Sequence, residues 1–135
     1  GVGLVHGFGL KRGALASTVA HDSHNLIVVG ADDRDMLAAA VALQEVGGGL
    51  AVVADGEVKA LLPLPLAGLM SDQNTEFVQH KLQQLHFWAA ELGVPENVNA
   101  FNCLSFLALP VIPRLRLSDK GLVDVDQFAL VDLWE

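Results

Sequence analysis

The pair Asp55-Gly56 stands between two apolar runs, residues 50–54 and 57–62. An Asp-Gly pair in that setting is the strongest short-range signal for a two-residue β-hairpin, because the favoured turn needs positive φ at both central residues. It commits the middle of the chain to antiparallel sheet, and the remaining segments must pack around it. Pro63 and Pro65 end the second arm, since proline donates nothing to a sheet ladder.

Upstream of the hairpin, residues 4–8 and 14–19 read as strands separated by Gly9-Leu10-Lys11-Arg12-Gly13, which has the glycines a tight reversal needs. Residues 26–29, Leu-Ile-Val-Val, read as a short strand covered on both faces, ended by Gly30. Asp32 or Asp33 then supplies an N-cap for a helix. Met36, Leu37, Ala40, Val41 and Gln44 form its helical spacing, with Val46 near the end, and Gly47-Gly48-Gly49 stops it. Downstream, residues 67–72 form a loop in which Asp72 becomes the cap of a second helix over 73–92. Val78, Leu82, Leu85, Ala89 and Leu92 make its apolar stripe, widened by Phe77 and Trp88, and Gly93 and Pro95 close it. Residues 99–108 fit a short helix or a strand. Residues 111–117 read as an edge strand because of their proline and arginines. In the tail from Gly121, the apolar residues Phe128, Leu130, Val131 and Trp134 need a surface to pack against. This order predicts an α+β domain, a largely antiparallel sheet with about two main helices packed on one face.

The 135 residues are one domain's worth of chain. Apolar residues make up 52% and charged residues 18%, below the roughly 25% charged of an ordinary soluble domain. That surplus predicts that part of the surface covers a partner. The longest uncharged run, between Glu96 and Arg114, contains prolines and asparagines and is shorter than the ~20 apolar residues of a membrane span. The net charge of −8 and only eight Lys and Arg argue against nucleic acid and anionic membranes as partners. Cys103, flanked by Asn102 and Leu104, reads as a buried thiol in a reduced, cytoplasmic compartment, and no signal peptide is visible. The start at Gly1-Val2-Gly3 without methionine reads as a piece of a longer protein.

The densest polar cluster, Thr18-Val19-Ala20-His21-Asp22-Ser23-His24-Asn25, lies between two apolar strands. Asn, Asp and Ser there serve an ordinary turn by local backbone hydrogen bonding. Two imidazoles flanking a carboxylate also suit Zn, Mn or Fe if a tight turn converges His21 and His24. His6 reads as a core histidine, and His80 and His86 as surface groups on different faces of the second helix. Lys11 and Arg12 fit a solvated loop tip or an anion contact. Asp72 fits a helix cap or a group that meets a ligand.

His6-Gly7-Phe8-Gly9-Leu10-Lys11-Arg12-Gly13-Ala14, Ser17-Thr18-Val19-Ala20-His21-Asp22-Ser23-His24-Asn25 and Ile27-Val28-Val29-Gly30 together resemble the C-terminal domain of bacterial adenine deaminase. Gly47-Gly48-Gly49, Asp55-Gly56, Leu62-Pro63-Leu64-Pro65, Ala67-Gly68-Leu69-Met70-Ser71-Asp72, Pro110-Val111-Ile112-Pro113 and residues 117–123 extend the resemblance over nearly the whole chain. It implies a hydrolase of purine salvage that converts adenine and water to hypoxanthine and ammonia. It further implies an amidohydrolase-type barrel upstream, whose Mn or Fe lowers the pKa of a bound water to supply hydroxide. The barrel's His-x-His ligand pair has no counterpart here. Residues 1–135 are therefore expected to be the C-terminal domain alone, inactive without the barrel, and part of a homo-oligomer.

Three roles remain for the 21–25 turn. It faces the barrel mouth and helps form the adenine pocket or an accessory metal site, with Lys11 and Asp72 as further substrate-proximal candidates. Alternatively, the domain is a structural and oligomerisation module in which the turn only ties strand ends. In the third reading, His21, Asp22 and His24 form a self-contained metal module.

Overall fold

A computed structural model describes residues 1–134. In chain order the elements are β1 (Ala14–Ser17), β2 (Ile27–Gly30), α1 (Asp33–Glu45), β3 (Gly49–Ala54), β4 (Glu57–Pro63), α2 (Thr75–Glu91), α3 (Ala100–Leu107), β5 (Leu115–Ser118), β6 (Gly121–Asp124) and β7 (Ala129–Val131). The first four strands form one antiparallel sheet in the order β2-β1-β3-β4, and the last three form a second in the order β5-β6-β7. The α+β class and the antiparallel pairing agree with the sequence reading.

The hairpin forms where Asp55-Gly56 demands it, joining β3 to β4 with φ of 58° and 75° at its two central residues. β1 pairs with β2 on one side and with β3 on the other, both antiparallel. β2 and β3 therefore run parallel with β1 between them, and α1 is the crossover that joins them.

Every residue of β1 and β3 is buried. Ala14, Ala16, Ala51 and Val53 point to one face and pack with Ala39 and Leu43 of α1. Leu15, Leu50, Val52 and Ala54 point to the other, where Leu85, Ala89 and Leu92 from α2 and its end, and Phe101 and Leu104 from α3, cover them. The helices thus occupy both faces, which corrects the expectation of a single covered face. Small alanines on one side admit α1 closely, and larger Leu and Val side chains on the other fill the space beneath α2 and α3.

Several other readings change. Residues 4–8 form no strand, because both edges of β1 are already taken by β2 and β3; Leu4 and Val5 are exposed, and only Phe8 enters the core. His6 is accordingly exposed rather than a core residue. In α1 the inward residues are Asp35, Ala39, Ala42 and Leu43, while Leu37 and Val41 face outward. α2 begins at Thr75, capped by Asn74, whose side chain accepts from the Phe77 amide at 2.9 Å. Asp72 is not the cap; it accepts from the Gln73 side-chain amide. Residues 100–107 are helical, with Phe101, Leu104 and Ser105 inward, so Cys103 is exposed rather than a buried thiol. The strand expected at 111–117 is shorter and starts at Leu115. The tail supplies β6 and β7, although Phe128 and Trp134 stay exposed. Among the described residues no helix is long and apolar enough to cross a membrane.

Two polar clamps lock the main sheet, one at each end. At the hairpin end, the buried Asp35 carboxylate accepts from the backbone amides of Asp55 at 3.2 Å and Gly56 at 2.8 Å. At the other end, the Thr18 hydroxyl donates to the Gly68 carbonyl at 2.6 Å and accepts from the Gly49 amide at 2.8 Å. Asp35→Ala leaves the two turn amides without their acceptor and is expected to cost about 1–3 kcal/mol, read as a lower denaturant midpoint at unchanged m-value. Thr18→Val keeps the shape but orphans both the Gly49 amide and the Gly68 carbonyl. It should also cost about 1–3 kcal/mol, with faster amide exchange concentrated at residues 48, 49 and 68.

Candidate functional site

The segments that carry the family resemblance lie far apart in the chain, and three of them meet at one end of the main sheet. β1 ends there, β2 and β3 begin there, and β4 ends there. The loops leaving that end span residues 18–26, 46–48 and 64–74. They carry the 21–25 turn, Gly47-Gly48 and the 67–72 motif.

Gly48 explains why glycine recurs. Its φ is 113°, and a Cβ there would stand 2.5 Å from the Gly68 Cα and 3.0 Å from the Thr18 hydroxyl. The two glycine loops touch through their backbones, and Thr18 bonds across the same contact. Against this base lies an open groove of about 500 Å³. Leu37, Ala40 and Val41 of α1 line it, Leu26 adds to its apolar wall, and His24 and Gln44 supply polar side chains.

The 21–25 turn is wound tightly. The Ser23 amide donates to the His21 carbonyl at 2.8 Å, and the His24 amide to the Ala20 carbonyl at 3.1 Å. Asp22 and His24 both have positive φ, 64° and 47°, a region that Asp, Asn and His enter more readily than other non-glycine residues. His21, Asp22, Ser23, His24 and Asn25 are all exposed.

The turn sends its two imidazoles to different neighbours. His21 lies against Phe106 of α3, ring centroids 4.5 Å apart, on the α2/α3 side of the sheet. His24 lines the groove against α1, on the opposite side. The two imidazoles therefore face different neighbours. Among the described residues no group of three or more His, Cys, Asp or Glu is placed to hold a metal ion. The donor set does not fit a self-contained Mn, Fe or Zn site, and the reading of His21, Asp22 and His24 as a metal module has no geometry behind it.

Asp72 lies in the 64–74 loop, at the same sheet end as the turn. Lys11 does not: its amide donates to the Leu92 carbonyl, and it lines a cavity with Arg12, Asp35, Asp55 and Gly56 at the hairpin end. There Arg12 pairs with Asp55 at 2.7 Å, both largely exposed, a contact worth little in water. Lys11 therefore belongs to a different part of the surface from the 21–25 turn. His80 and His86 are exposed on α2, as the helical spacing predicts. Sequence reasoning placed Thr18 in the polar cluster without giving it a role of its own, and it missed the groove wall. Thr18 had a signal, since it is a polar residue at the end of an otherwise apolar strand within the shared motif.

A family model described as the adenine deaminase C-terminal domain matches residues 1–129. The chain is 60% identical to adenine deaminase 2 of Carboxydothermus hydrogenoformans over 131 residues, covering 97% of this chain and 23% of that protein. It is 58% identical to an adenine deaminase of Desulfatibacillum aliphaticivorans, over 100% of this chain and 24% of that protein. With the adenine deaminase of Bacillus pumilus the identity is 54%, over 95% and 22% respectively. The chain thus spans about a quarter of the length of these curated relatives. A match over residues 1–129, nearly all of its length, establishes that the chain belongs to the adenine deaminase C-terminal domain family.

Proposed function

We propose that this chain works as the C-terminal domain of an enzyme that hydrolyses adenine to hypoxanthine and ammonia in cytoplasmic purine salvage. In this reading the metal, Mn or Fe, and the groups that activate water belong to a barrel upstream, and residues 1–135 are inactive alone. The domain's contribution is the 21–25 turn, with His24 as the substrate-proximal group. An imidazole can accept a hydrogen bond from the exocyclic amine of adenine or donate one to a ring nitrogen, which fixes the ring before attack at C6. The reaction forms a C6–O bond from water and breaks the C6–N bond, releasing ammonia.

The observation that carries this reading is the placement of His24. It is the histidine of the shared motif that lines a groove, in a left-handed backbone conformation, beside a base of touching glycine backbones. His21 has a packing role instead, against Phe106.

In the full-length enzyme, His24→Ala should lower kcat/KM for adenine about 10- to 100-fold, the loss of one hydrogen bond to substrate at roughly 1.4 kcal/mol per tenfold, with a stability loss of only about 1 kcal/mol from alanine at positive φ. His21→Ala should instead cost about 0.5–1.5 kcal/mol of stability and leave turnover per folded site intact. Unchanged kinetics for the His24 variant would contradict this reading and leave the domain a structural or oligomerisation module.

A further inference from the structure

We propose that the groove between α1 and the two glycine loops seats an apolar surface of the polypeptide that precedes this domain in its longer relatives. The inference rests on reading the chain as the C-terminal part of such a protein, and it names the surface through which the two parts meet.

α1 has two apolar stripes. Ala39 and Leu43 face the sheet. Leu37 and Val41, one helical turn apart, face outward and are 66% and 41% exposed. Leu26, 47% exposed, lines the same groove. Together Leu26, Leu37 and Val41 line one groove as an apolar patch with no cover from residues 1–134, the kind of surface that marks an interaction site. The base of the groove is fixed in advance, because the Gly48 and Gly68 backbones touch and Thr18 bonds across them. A partner therefore meets a preorganised surface and spends little on ordering it.

The choice of occupant follows from length. The chain is matched over 95–100% of itself but covers only 22–24% of these relatives, so about three quarters of each lies outside it. A covalently tethered partner acts at high effective concentration and can be held by a patch too small for a free one. Gln44, exposed in the same groove, gives the tethered surface a polar contact that fixes its register, and His24 is left to the substrate side.

The test uses the full-length protein with photoreactive benzoylphenylalanine in place of Val41, and in a second preparation in place of Leu37. A control carries it in place of Gln83, on the exposed side of α2. After irradiation, mass spectrometry of the digest should show cross-links within one chain from position 41 or 37 to peptides preceding Gly1, and none of these from position 83. Adducts of twice the chain mass would assign the groove to a second copy and overturn the proposal. Cross-links confined to residues 1–135, or none from either groove position, would overturn it as well. The readout is independent of turnover. A protein that cross-links but releases no ammonia from adenine retires the deaminase reading alone, and an active enzyme without the cross-link retires the docking surface alone.

Discussion

The fold depends on the two-sided burial of β1 and β3. No residue of either strand reaches solvent appreciably, so the sheet needs helical cover on both faces at once. One crossover, α1, covers the alanine-rich side. α2 and α3 cover the side of larger residues. Because β1 is flanked by β2 and β3, its ends and theirs come together, and the loops they emit have to share a small space. The close approach of the glycine loops is a consequence of that crowding. Thr18 then converts the crowding into a fixed geometry, since one hydroxyl serves the start of β3 and the 66–70 loop together.

That geometry separates the two ends of the sheet by role. The hairpin end is closed by a buried carboxylate that takes both turn amides, a self-contained structural solution. The other end is left open, with an exposed, tightly wound turn and a groove with apolar walls. The surplus of apolar residues in the sequence is only partly consumed by the two core layers. Part of the remainder lies on the outer stripe of α1, where it is of use only if something covers it.

Much of this was legible in the sequence, and the misses have physical causes. Asp55-Gly56 located the hairpin because a two-residue turn has strict φ requirements that few residue pairs meet. The α2 stripe was legible because Leu85, Ala89 and Leu92 face a single core. α1 was misread in orientation: Leu37 and Val41 form a proper helical stripe, but Ala39 and Leu43 form another, and spacing alone does not say which faces the sheet. The two-sided cover was readable in principle, since residues 14–16 and 50–54 lack the polar alternation of a half-exposed strand. The β6 and β7 strands escaped because four- and three-residue elements leave little periodicity. At the candidate site, the separate directions of His21 and His24 go with positive φ at Asp22 and His24, which the residue types permit and do not require.

The central claim is that the open end of the sheet, at His24, lies in the substrate environment of the complete enzyme. Amide hydrogen exchange of the full-length protein, with and without saturating hypoxanthine, tests it directly. The account predicts that ligand slows exchange across residues 20–26 and leaves the 55–56 turn at the opposite sheet end unchanged. Equal exchange at residues 20–26 in the two states would contradict it.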